Sequence, residues 1–210
     1  MDYSVIDVET TGLTPWTERI LEIAVLTLTP DGGTTGTWST LVNPGRPVGA
    51  TFIHGITDDS VADAPTFSEA LPSLVDRLAG TIIVGHNVSF DLEFLNAEFK
   101  RSLYPVGIPR SAAVCTMDQS RIYLPPGRHS LAACVDRAGI AISPTHRAID
   151  DARCSAALLA HYLQAETAGR RCADEARDRD GRVVLPAEWK RAAGAARSLD
   201  WLEVADLSSL

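Results

Sequence analysis

The sequence predicts an α/β fold in which a mixed β-sheet is flanked by helices. Three strand-like segments joined by short connections come first, and strand and helix signals alternate after them. Strands joined by hairpins pair antiparallel, whereas strands separated by helices pair in parallel. A hydrophobic content of 45% in 210 residues is enough apolar material for one domain with a sizeable core.

The first three strands are predicted over residues 3–8, 20–28 and 34–42, where apolar and β-branched residues are concentrated. The residues Asp-Gly-Gly at 31–33 are a hairpin-turn signal between the second strand and the third. Because a hairpin joins antiparallel neighbours, the sheet is expected to begin with three antiparallel strands.

Later segments alternate between helix and strand signals. Residues 43–47, which read Asn-Pro-Gly-Arg-Pro, interrupt the first sheet pattern. The alternation that follows predicts further strands that pair in parallel, with helices packed against them. The predicted elements are a helix over 67–78, a strand over 81–84, a helix over 90–103, a strand over 114–117, a helix over 131–138 capped by Ser130, and a helix over 152–163.

The composition changes after residue 165 to Arg, Asp, Glu and Ala. We therefore predict a domain over 1–165 and a C-terminal tail over 166–210 that is partly helical. Pro186 is suited to the first turn of a helix, and apolar residues recur at helical spacing after it. This helix is expected to dock on the chain's own core or on a partner, which would be a polymerase or a second copy of the chain.

The balance of charge limits how a nucleic acid could be held. Nineteen basic residues against 27 acidic residues give a formal net charge of −8, so the surface is no general trap for a polyanion. Local clusters of cations, metal ions and backbone amides can still receive the end of a phosphate chain. The composition therefore disfavours tight binding of long duplexes without excluding nuclease chemistry.

The four cysteines include no CxxC pair, which predicts unpaired core thiols in a reducing compartment. The chain begins directly with a strand signal, and it shows no basic segment followed by an apolar stretch. No run reaches the ~18 apolar residues that span a membrane. A cytoplasmic protein without a membrane partner is expected.

Asp7 and Glu9 are the first candidate site residues, at the end of the first apolar run. Side chains two positions apart in a strand leave the same face, so these two carboxylates are expected to point together. Adjacent carboxylates repel and raise each other's pKa unless a cation neutralises them. The pair therefore indicates a site for divalent cations, with the solvated face of an edge strand as the alternative.

Asp91 is the second candidate, located where the predicted strand over 81–84 leads into a helix. The carboxyl ends of strands in open α/β sheets form crevices that bind ligands. Asp91 near the start of the helix would face this crevice. The alternative is that it only provides a favourable negative charge in the first turn of the helix.

The third candidate is His146 with Asp150 and Asp151, which lead into the last strong helix. Adjacent residues of a helix are rotated by about 100°, so the two acids can hardly both face one small site. One of them is expected to cap the helix or to be solvated.

Taken in order, these segments resemble the exonuclease motifs of the DEDDh branch of the DnaQ-like family. That family reads Asp-x-Glu, then His-Asn followed by Phe-Asp, then His-x4-Asp, and the similarity covers approximately residues 1–165. No tyrosine lies a few residues before the acids of the third segment, which disfavours the branch with Tyr in place of His. The matching residues are Asp7, Glu9, His86, Asn87, Phe90, Asp91, His146 and Asp151, with supporting loops at 43–44 and 54–57.

The resemblance implies a ribonuclease H-like fold and release of nucleoside 5′-monophosphates from the 3′ end of a nucleic acid, with two Mg²⁺ or Mn²⁺ ions. Carboxylate oxygens suit such hard cations. The implied metal ligands are Asp7, Glu9, Asp91 and Asp151. His146 is the implied general base, because histidine changes its protonation near neutral pH.

The same resemblance suggests which residues hold the terminal nucleotide. For His86, a hydrogen-bonded structural role is an equal alternative, because buried polar groups need partners in any case. The suggested contacts are Thr10, Thr11, Gly12, His86 and Asn87.

Three functions remain open at this point. Similarity to the proofreading epsilon subunits of bacterial DNA polymerase III favours DNA with single-stranded or frayed ends, in proofreading or repair. An exoribonuclease acting on short RNA would use the same metal chemistry, and the contact that reads the 2′-OH is not visible in the sequence. An inactive polymerase-associated binding module is disfavoured, because every chemical position of the motifs is filled.

Overall fold

The computed structural model describes residues 1–202, which form a five-stranded mixed sheet with helices packed against it. The strand order is β3-β2-β1-β4-β5. The pairs β1–β2 and β2–β3 are antiparallel, whereas β1–β4 and β4–β5 are parallel, so the predicted mixed sheet is confirmed. The strands are β1 (Tyr3–Thr10), β2 (Ile20–Leu28), β3 (Thr34–Leu41), β4 (Ile82–Gly85) and β5 (Ala113–Cys115).

Eight α-helices and a small second hairpin complete the described part of the chain. Every residue of β4 and β5 is buried, because helices and loops cover these strands on both faces. The hairpin consists of β6 (Ala176–Arg177) and β7 (Val183–Val184). The helices are α1 (Thr51–His54), α2 (Asp58–Val61), α3 (Phe67–Leu78), α4 (Val88–Arg101), α5 (Thr116–Tyr123), α6 (Leu131–Arg137), α7 (Ala148–Thr167) and α8 (Glu188–Arg197).

Most predicted bounds differ from the observed ones by one or two residues, and two of the differences concern the site. The strand predicted over 114–117 ends at Cys115, and Met117 lies in α5. Helix α7 begins at Ala148, four residues before the predicted start at 152. Asp150 and Asp151 interrupt the apolar spacing there, yet acids in a first turn are favoured by the partial positive charge of the helix N-terminus.

The C-terminal segment packs on the core of the same chain. Trp189 stacks on Tyr123 with ring centroids 5.8 Å apart, and Val184, Ala192 and Ala196 join the main hydrophobic cluster. The helix expected after Pro186 therefore docks on the chain's own core. The division of the chain after residue 165 stays a prediction, and helix α7 runs two residues past it.

Within residues 1–202, no helix combines the length and the hydropathy needed to cross a bilayer. All four cysteines are free thiols. Cys115, Cys134 and Cys154 are buried as expected, but the expectation of a core position is wrong for Cys172. This residue is exposed because it follows the end of α7, in the connection to the second hairpin.

Candidate active site

Carboxylates from two elements meet at the end of β1. Asp7 and Glu9 lie two positions apart on this strand, so their side chains leave the same face of the sheet. Asp151 approaches them from the first turn of α7. One carboxylate oxygen from each of these three residues lies within 4.8 Å of the other two. The structure thus brings together three of the four acids that the resemblance implies as ligands.

Asp91 contacts the same site from α4. Its side chain is buried, and its charge acts on Asp7 strongly enough to raise the pKa of that residue. Gly85 makes room for it, since a Cβ on this glycine would lie 3.2 Å from Asp91 Oδ2 and 3.1 Å from Val88. A glycine at the carboxyl end of a predicted strand was the sequence signal for this close approach.

The acids of this site hold protons unusually strongly when no cation is bound. Burial, followed by the charges of Asp91, Asp151, Glu9 and Glu22, raises the pKa of Asp7 well above its usual value. Burial and the neighbouring acids raise the pKa of Glu9 to about 8, although Arg147 opposes this shift. Burial also raises the pKa of Asp91 and of Asp151. Excess negative charge in a partly buried place is what a bound cation would neutralise.

The donor set fits divalent cations that prefer oxygen ligands. Four carboxylates from β1, α4 and α7 offer only oxygen atoms, and neither a cysteine nor a histidine belongs to the close group within the described residues. Mg²⁺ and Mn²⁺ accept such a set, and four carboxylates supply enough charge for two ions. We therefore regard this cluster as a candidate metal centre.

The two consecutive acids of the third segment point to different partners. Asp151 Oδ1 accepts a hydrogen bond from the Thr145 backbone N–H at 2.9 Å, which fixes its carboxylate toward the site. Asp150 accepts from the Thr145 hydroxyl at 2.8 Å and from Arg153 at 3.0 Å. Asp150 is thus occupied by its own helix turn and loop, as the rotation between adjacent helical residues requires.

His146 lies in the loop immediately before α7, with an exposed side chain and a backbone φ of +57°. Its backbone lies within hydrogen-bonding range of Asp151, which puts this residue next to the carboxylate cluster. Among residues 1–202, the ring makes no hydrogen bond to another residue. The imidazole is therefore free to meet a water molecule or a substrate.

Glu22 is a buried acid that the sequence analysis missed. It lies opposite Glu9 in the β1–β2 register and accepts hydrogen bonds from the Arg147 guanidinium and the Ala148 backbone N–H. These contacts tie the first turn of α7 to β2. An acid within the otherwise apolar run 20–26 was the available signal, because a buried carboxylate needs a partner.

The loop after β1 is held by its own hydroxyl groups. The Thr10 hydroxyl donates to the Gly12 carbonyl at 2.7 Å, and the Thr11 hydroxyl donates to Glu18 at 2.5 Å. Gly49 lies so close that a Cβ there would be 2.3 Å from the Thr11 carbonyl oxygen. The predicted substrate contacts Thr10, Thr11 and Gly12 therefore belong to a fixed loop beside the cluster, and their role stays a prediction.

His86 and Asn87 connect β4 to α4. His86 Nε2 donates to the His129 carbonyl at 2.9 Å, which leaves Nδ1 to accept from the Thr116 hydroxyl at 2.9 Å. Burial lowers the pKa of His86 to about 4, so the ring is neutral at physiological pH. Both ring nitrogens thus serve the fold, whereas Asn87 occupies the left-handed region with φ +67° beside the site.

Two exposed apolar side chains belong to segments that adjoin the loop after β1, and the sequence analysis did not identify them. Leu13 follows the Thr10–Gly12 loop and is 81% exposed, and Phe52 on α1 is 91% exposed. The buried His54 ties α1 to this region by donating to the Gly49 carbonyl. Large apolar groups exposed next to a polar site are suited to contact a ligand.

Comparison with known families and proteins gives a consistent result. An exonuclease family model, RNase_T, matches residues 4–159. The PolC-type DNA polymerase III of Bacillus subtilis is 34% identical over 165 residues, which are 77% of this chain and 11% of the relative. That of Thermotoga petrophila is 30% identical over 165 residues, 77% of this chain and 12% of the relative. The chain thus spans about a tenth of the length of these relatives.

Solved structures show the same likeness. Exonuclease X in complex with 5′-overhanging duplex DNA superposes with a TM-score of 0.59 at 30% identity, covering 80% of this chain and 93% of that one. Exonuclease I of E. coli in complex with a dT13 oligonucleotide gives a TM-score of 0.66 at 22% identity, covering 79% of this chain and 41% of that one. At 22% identity, the similarity to exonuclease I shows a shared fold and nothing further.

Proposed function

Because this chain belongs to the RNase_T exonuclease family and is a DnaQ-like 3′–5′ exonuclease, we propose that it releases nucleoside 5′-monophosphates from the 3′ ends of DNA with two divalent cations. The resemblance to DnaQ-like enzymes and the ribonuclease H-like fold are confirmed by these comparisons. We assign the chain to the DEDDh type. The observation that carries the proposal is the meeting of Asp7, Glu9 and Asp151 within 4.8 Å.

Each residue of the site has a role in this proposal. Asp7, Glu9, Asp91 and Asp151 would hold two Mg²⁺ or Mn²⁺ ions, which stabilise charge on the attacking and leaving oxygens of a phosphodiester when bound. His146 accepts a proton from the attacking water, because its exposed ring lies beside Asp151 and is free of protein partners within residues 1–202. The Arg147–Glu22 pair keeps the loop bearing His146 against β2.

The surroundings of the cluster support a frayed or single-stranded end as substrate. Phe52 offers an exposed aromatic ring on which an unpaired base can stack, and such stacking tolerates every base. Leu13 adds exposed apolar surface. Thr10, Thr11 and Gly12 border the same place and would contact the terminal nucleotide, and Asn87 would approach it from the end of β4. A net charge of −8 favours a short contact with a chain end over a long duplex tract.

DNA is preferred as the substrate because the similar proteins include DNA polymerases and an exonuclease bound to DNA. Proofreading or repair is the cellular role that follows, with a polymerase as partner. Short RNA is the second candidate, since the metal chemistry is indifferent to the sugar and discrimination needs a contact with the 2′-OH. Membership of an exonuclease family favours an enzyme over an inactive binding module.

A direct assay tests the proposal. The purified protein is incubated with 5′-labelled single-stranded DNA, duplex DNA with a 3′-overhang, duplex DNA with a recessed 3′ end, and matched RNA, in Mg²⁺, Mn²⁺ or EDTA. Asp7→Asn is the inactive reference, because the amide keeps the side-chain shape and removes the charge. We expect stepwise shortening from the 3′ end that needs a divalent cation and is lost in the variant.

The outcomes separate the candidates. Faster shortening of DNA than of RNA supports the preferred substrate, and the reverse order establishes the exoribonuclease. Shortening that continues in EDTA, or in Asp7→Asn, contradicts the metal assignment. Full-length DNA and RNA under all conditions would support the inactive binding module.

A further inference from the structure

The hairpin of β6 and β7 lies beyond residues 4–159, which the family model matches. It nevertheless lies near the carboxyl ends of β4 and β5, on the side of the sheet where the active site is found. Asn87, after the carboxyl end of β4, and Ser89, in the first turn of α4, line a small cleft together with Arg179 and Arg182 from the hairpin turn. Three acids also line this cleft: Asp118, Asp178 and Asp180. Met117, after the carboxyl end of β5, lines the same cleft. The hairpin turn is therefore a neighbour of the site in space.

Ion pairs between the half-exposed Arg182 and two buried carboxylates fix the turn in this position. Arg182 donates to Asp118, a buried acid at the start of α5, at 2.9 Å, and to Asp178 at 2.9 Å. Asp178 also accepts from the backbone N–H groups of Asp180 and Arg182 at 2.9 and 2.8 Å. A turn held by a buried acid and by its own backbone is preorganised, so binding at its tip would lose little conformational entropy.

Arg179 at the tip is available to a ligand. Its side chain is 62% exposed, and within residues 1–202 the carboxylate in ion-pair range is that of Asp180 at 3.6 Å, itself 78% exposed. A pair this exposed contributes about 0–1 kcal/mol. The guanidinium can therefore exchange this partner for a phosphate, which it binds with two parallel hydrogen bonds.

The charges of the hairpin alternate in sign, and its basic face is the one turned to the loop before α6. A cavity of about 380 Å³ separates β6 from the loop before α6, and it is lined by Arg121, His129 and Arg177 with apolar residues and no carboxylate among the described residues. Exposed Arg128 belongs to the same loop. In a chain with a net charge of −8, this face is a local exception that would attract a polyanion.

The distance between the hairpin and the catalytic acids indicates which nucleotides the hairpin would contact. β5 is two strands away from β1, which is about 10 Å at the spacing of sheet strands. Nucleotides along one strand of stacked, duplex-like DNA rise by about 3.4 Å each, and an unstacked strand covers the same distance with fewer nucleotides. We propose that the hairpin forms a wall of the substrate cleft and that Arg179 binds a backbone phosphate of the cleaved strand, a few nucleotides before its 3′ end. This inference rests on the proposed exonuclease function.

Arg179→Ala tests the inference, with Arg170→Ala as the matched control. Arg170 is also exposed, but it follows the far end of α7, and that end at Thr167 is about 24 Å from Asp151 at 1.5 Å per helical residue. The substrates are a 12-nucleotide single-stranded DNA and the p-nitrophenyl ester of thymidine 5′-monophosphate, which fills only the catalytic position. Initial rates at several salt concentrations give kcat and KM for each protein.

For the 12-mer, we expect Arg179→Ala to raise KM about two- to fivefold with kcat unchanged, as for one solvent-exposed pair of charges. The slope of log(kcat/KM) against log salt concentration should become less steep by about 0.7, the contribution of one phosphate on a single strand. Hydrolysis of the small ester and all values for Arg170→Ala should match the unmodified protein.

Equal KM values and salt slopes for Arg179→Ala and the unmodified protein would overturn the inference. An equal increase in KM for Arg170→Ala would also overturn the inference, because that result indicates a general effect of net charge. If the unmodified protein cleaves neither substrate, the proposed function fails separately. Fluorescence anisotropy of the labelled 12-mer in EDTA still decides the inference in that case, since weaker binding by Arg179→Ala alone supports it and equal binding by all three proteins contradicts it.

Discussion

Arg147 and Glu22 are joined by two parallel hydrogen bonds, from Nη2 to Oε1 at 2.8 Å and from Nε to Oε2 at 3.0 Å. Glu22 is buried on β2, whereas the Arg147 side chain is 47% exposed at the start of α7. The pair thus anchors the segment between His146 and Asp151 to the strand beside Glu9.

Arg147→Ala should lower both stability and turnover. The change leaves the Glu22 carboxylate buried with the Ala148 N–H as its remaining partner, and the exposure of the guanidinium limits the loss to about 1–3 kcal/mol. Turnover should fall because α7 loses its anchor near the site. Arg153→Ala is the control, since its pair with Asp150 is more exposed and contributes about 0–1 kcal/mol. Chemical denaturation measures the stability of both variants, and cleavage of 5′-labelled DNA measures their turnover. Equal effects of the two changes would argue against anchoring by Arg147.

Asp151→Asn should abolish nearly all turnover, whereas Asp150→Asn should keep it. Asp151 points to the cluster with Asp7 and Glu9, but Asp150 is bound by Thr145 and Arg153. The two variants remove the same charge from adjacent positions, so they share most effects on helix stability. Rates on 5′-labelled DNA compare them directly. An inactive Asp150→Asn with an active Asp151→Asn would show that the third motif is misaligned.

The metal-free protein should lose stability as the pH rises from 6.5 to 8.5. Burial and neighbouring acids raise the pKa of Glu9 from 4.5 to about 8 and that of Asp7 well above its usual value. The folded protein therefore binds protons that the unfolded chain has already released, and stability present below the unfolded pKa is lost as the pH rises through the folded pKa. His86, with a lowered pKa of about 4, acts in the opposite direction only below 6.5.

Thermal unfolding in EDTA at pH 6.5, 7.5 and 8.5 measures this loss. Mg²⁺ or Mn²⁺ should reduce it, because a cation that binds only the folded state stabilises that state. Glu9→Gln should flatten the dependence, since the amide does not titrate. A melting temperature that rises between pH 6.5 and 8.5 in EDTA would contradict the raised pKa values.

Trp189→Ala should destabilise the whole domain by about 3–5 kcal/mol. Trp189 is 6% exposed and stacks on Tyr123, which stacks on Tyr162 of α7 at a centroid distance of 5.4 Å. Val183→Ala is the control, because Val183 is exposed on the hairpin and its truncation should cost less than about 0.5 kcal/mol. Denaturation midpoints compare the two. A Trp189 variant as stable as the Val183 variant would support a domain that ends near residue 165.

Local pattern was sufficient to predict most of the sheet. β2 matches its predicted range 20–28 because apolar and β-branched residues fill it and turn residues bound it. The partner of Glu22 was not predictable in this way, because Arg147 lies 125 residues away in sequence. Pairing over such a distance depends on how the sheet is assembled, and no local spacing records it.

The active site also combines residues that local pattern predicts with residues that it does not. Asp7 and Glu9 were predictable as a pair because the period of a strand puts them on one face. Their approach to Asp151 needed the resemblance, because α7 lies more than 130 residues after β1 in sequence and packs against it only in the assembled fold. Asp180 and Gly181 are a turn signal, so the hairpin turn itself was predictable. Its place beside the active site was not, since that depends on the contact of Arg182 with Asp118, 64 residues away in sequence.

His146→Gly and His146→Ala together separate the chemistry of the imidazole from the geometry of the loop. His146 has a φ of +57°, which glycine adopts freely and alanine adopts at a cost of about 1 kcal/mol or more. If the imidazole accepts the proton, both variants should lose about 10²–10⁴-fold in kcat, with similar KM. Added imidazole should then restore part of the activity in His146→Gly, where the space is free and the backbone is unstrained. A glycine variant with unchanged kcat beside an impaired alanine variant would show that this position serves the backbone turn alone, and the general base would have to be sought elsewhere.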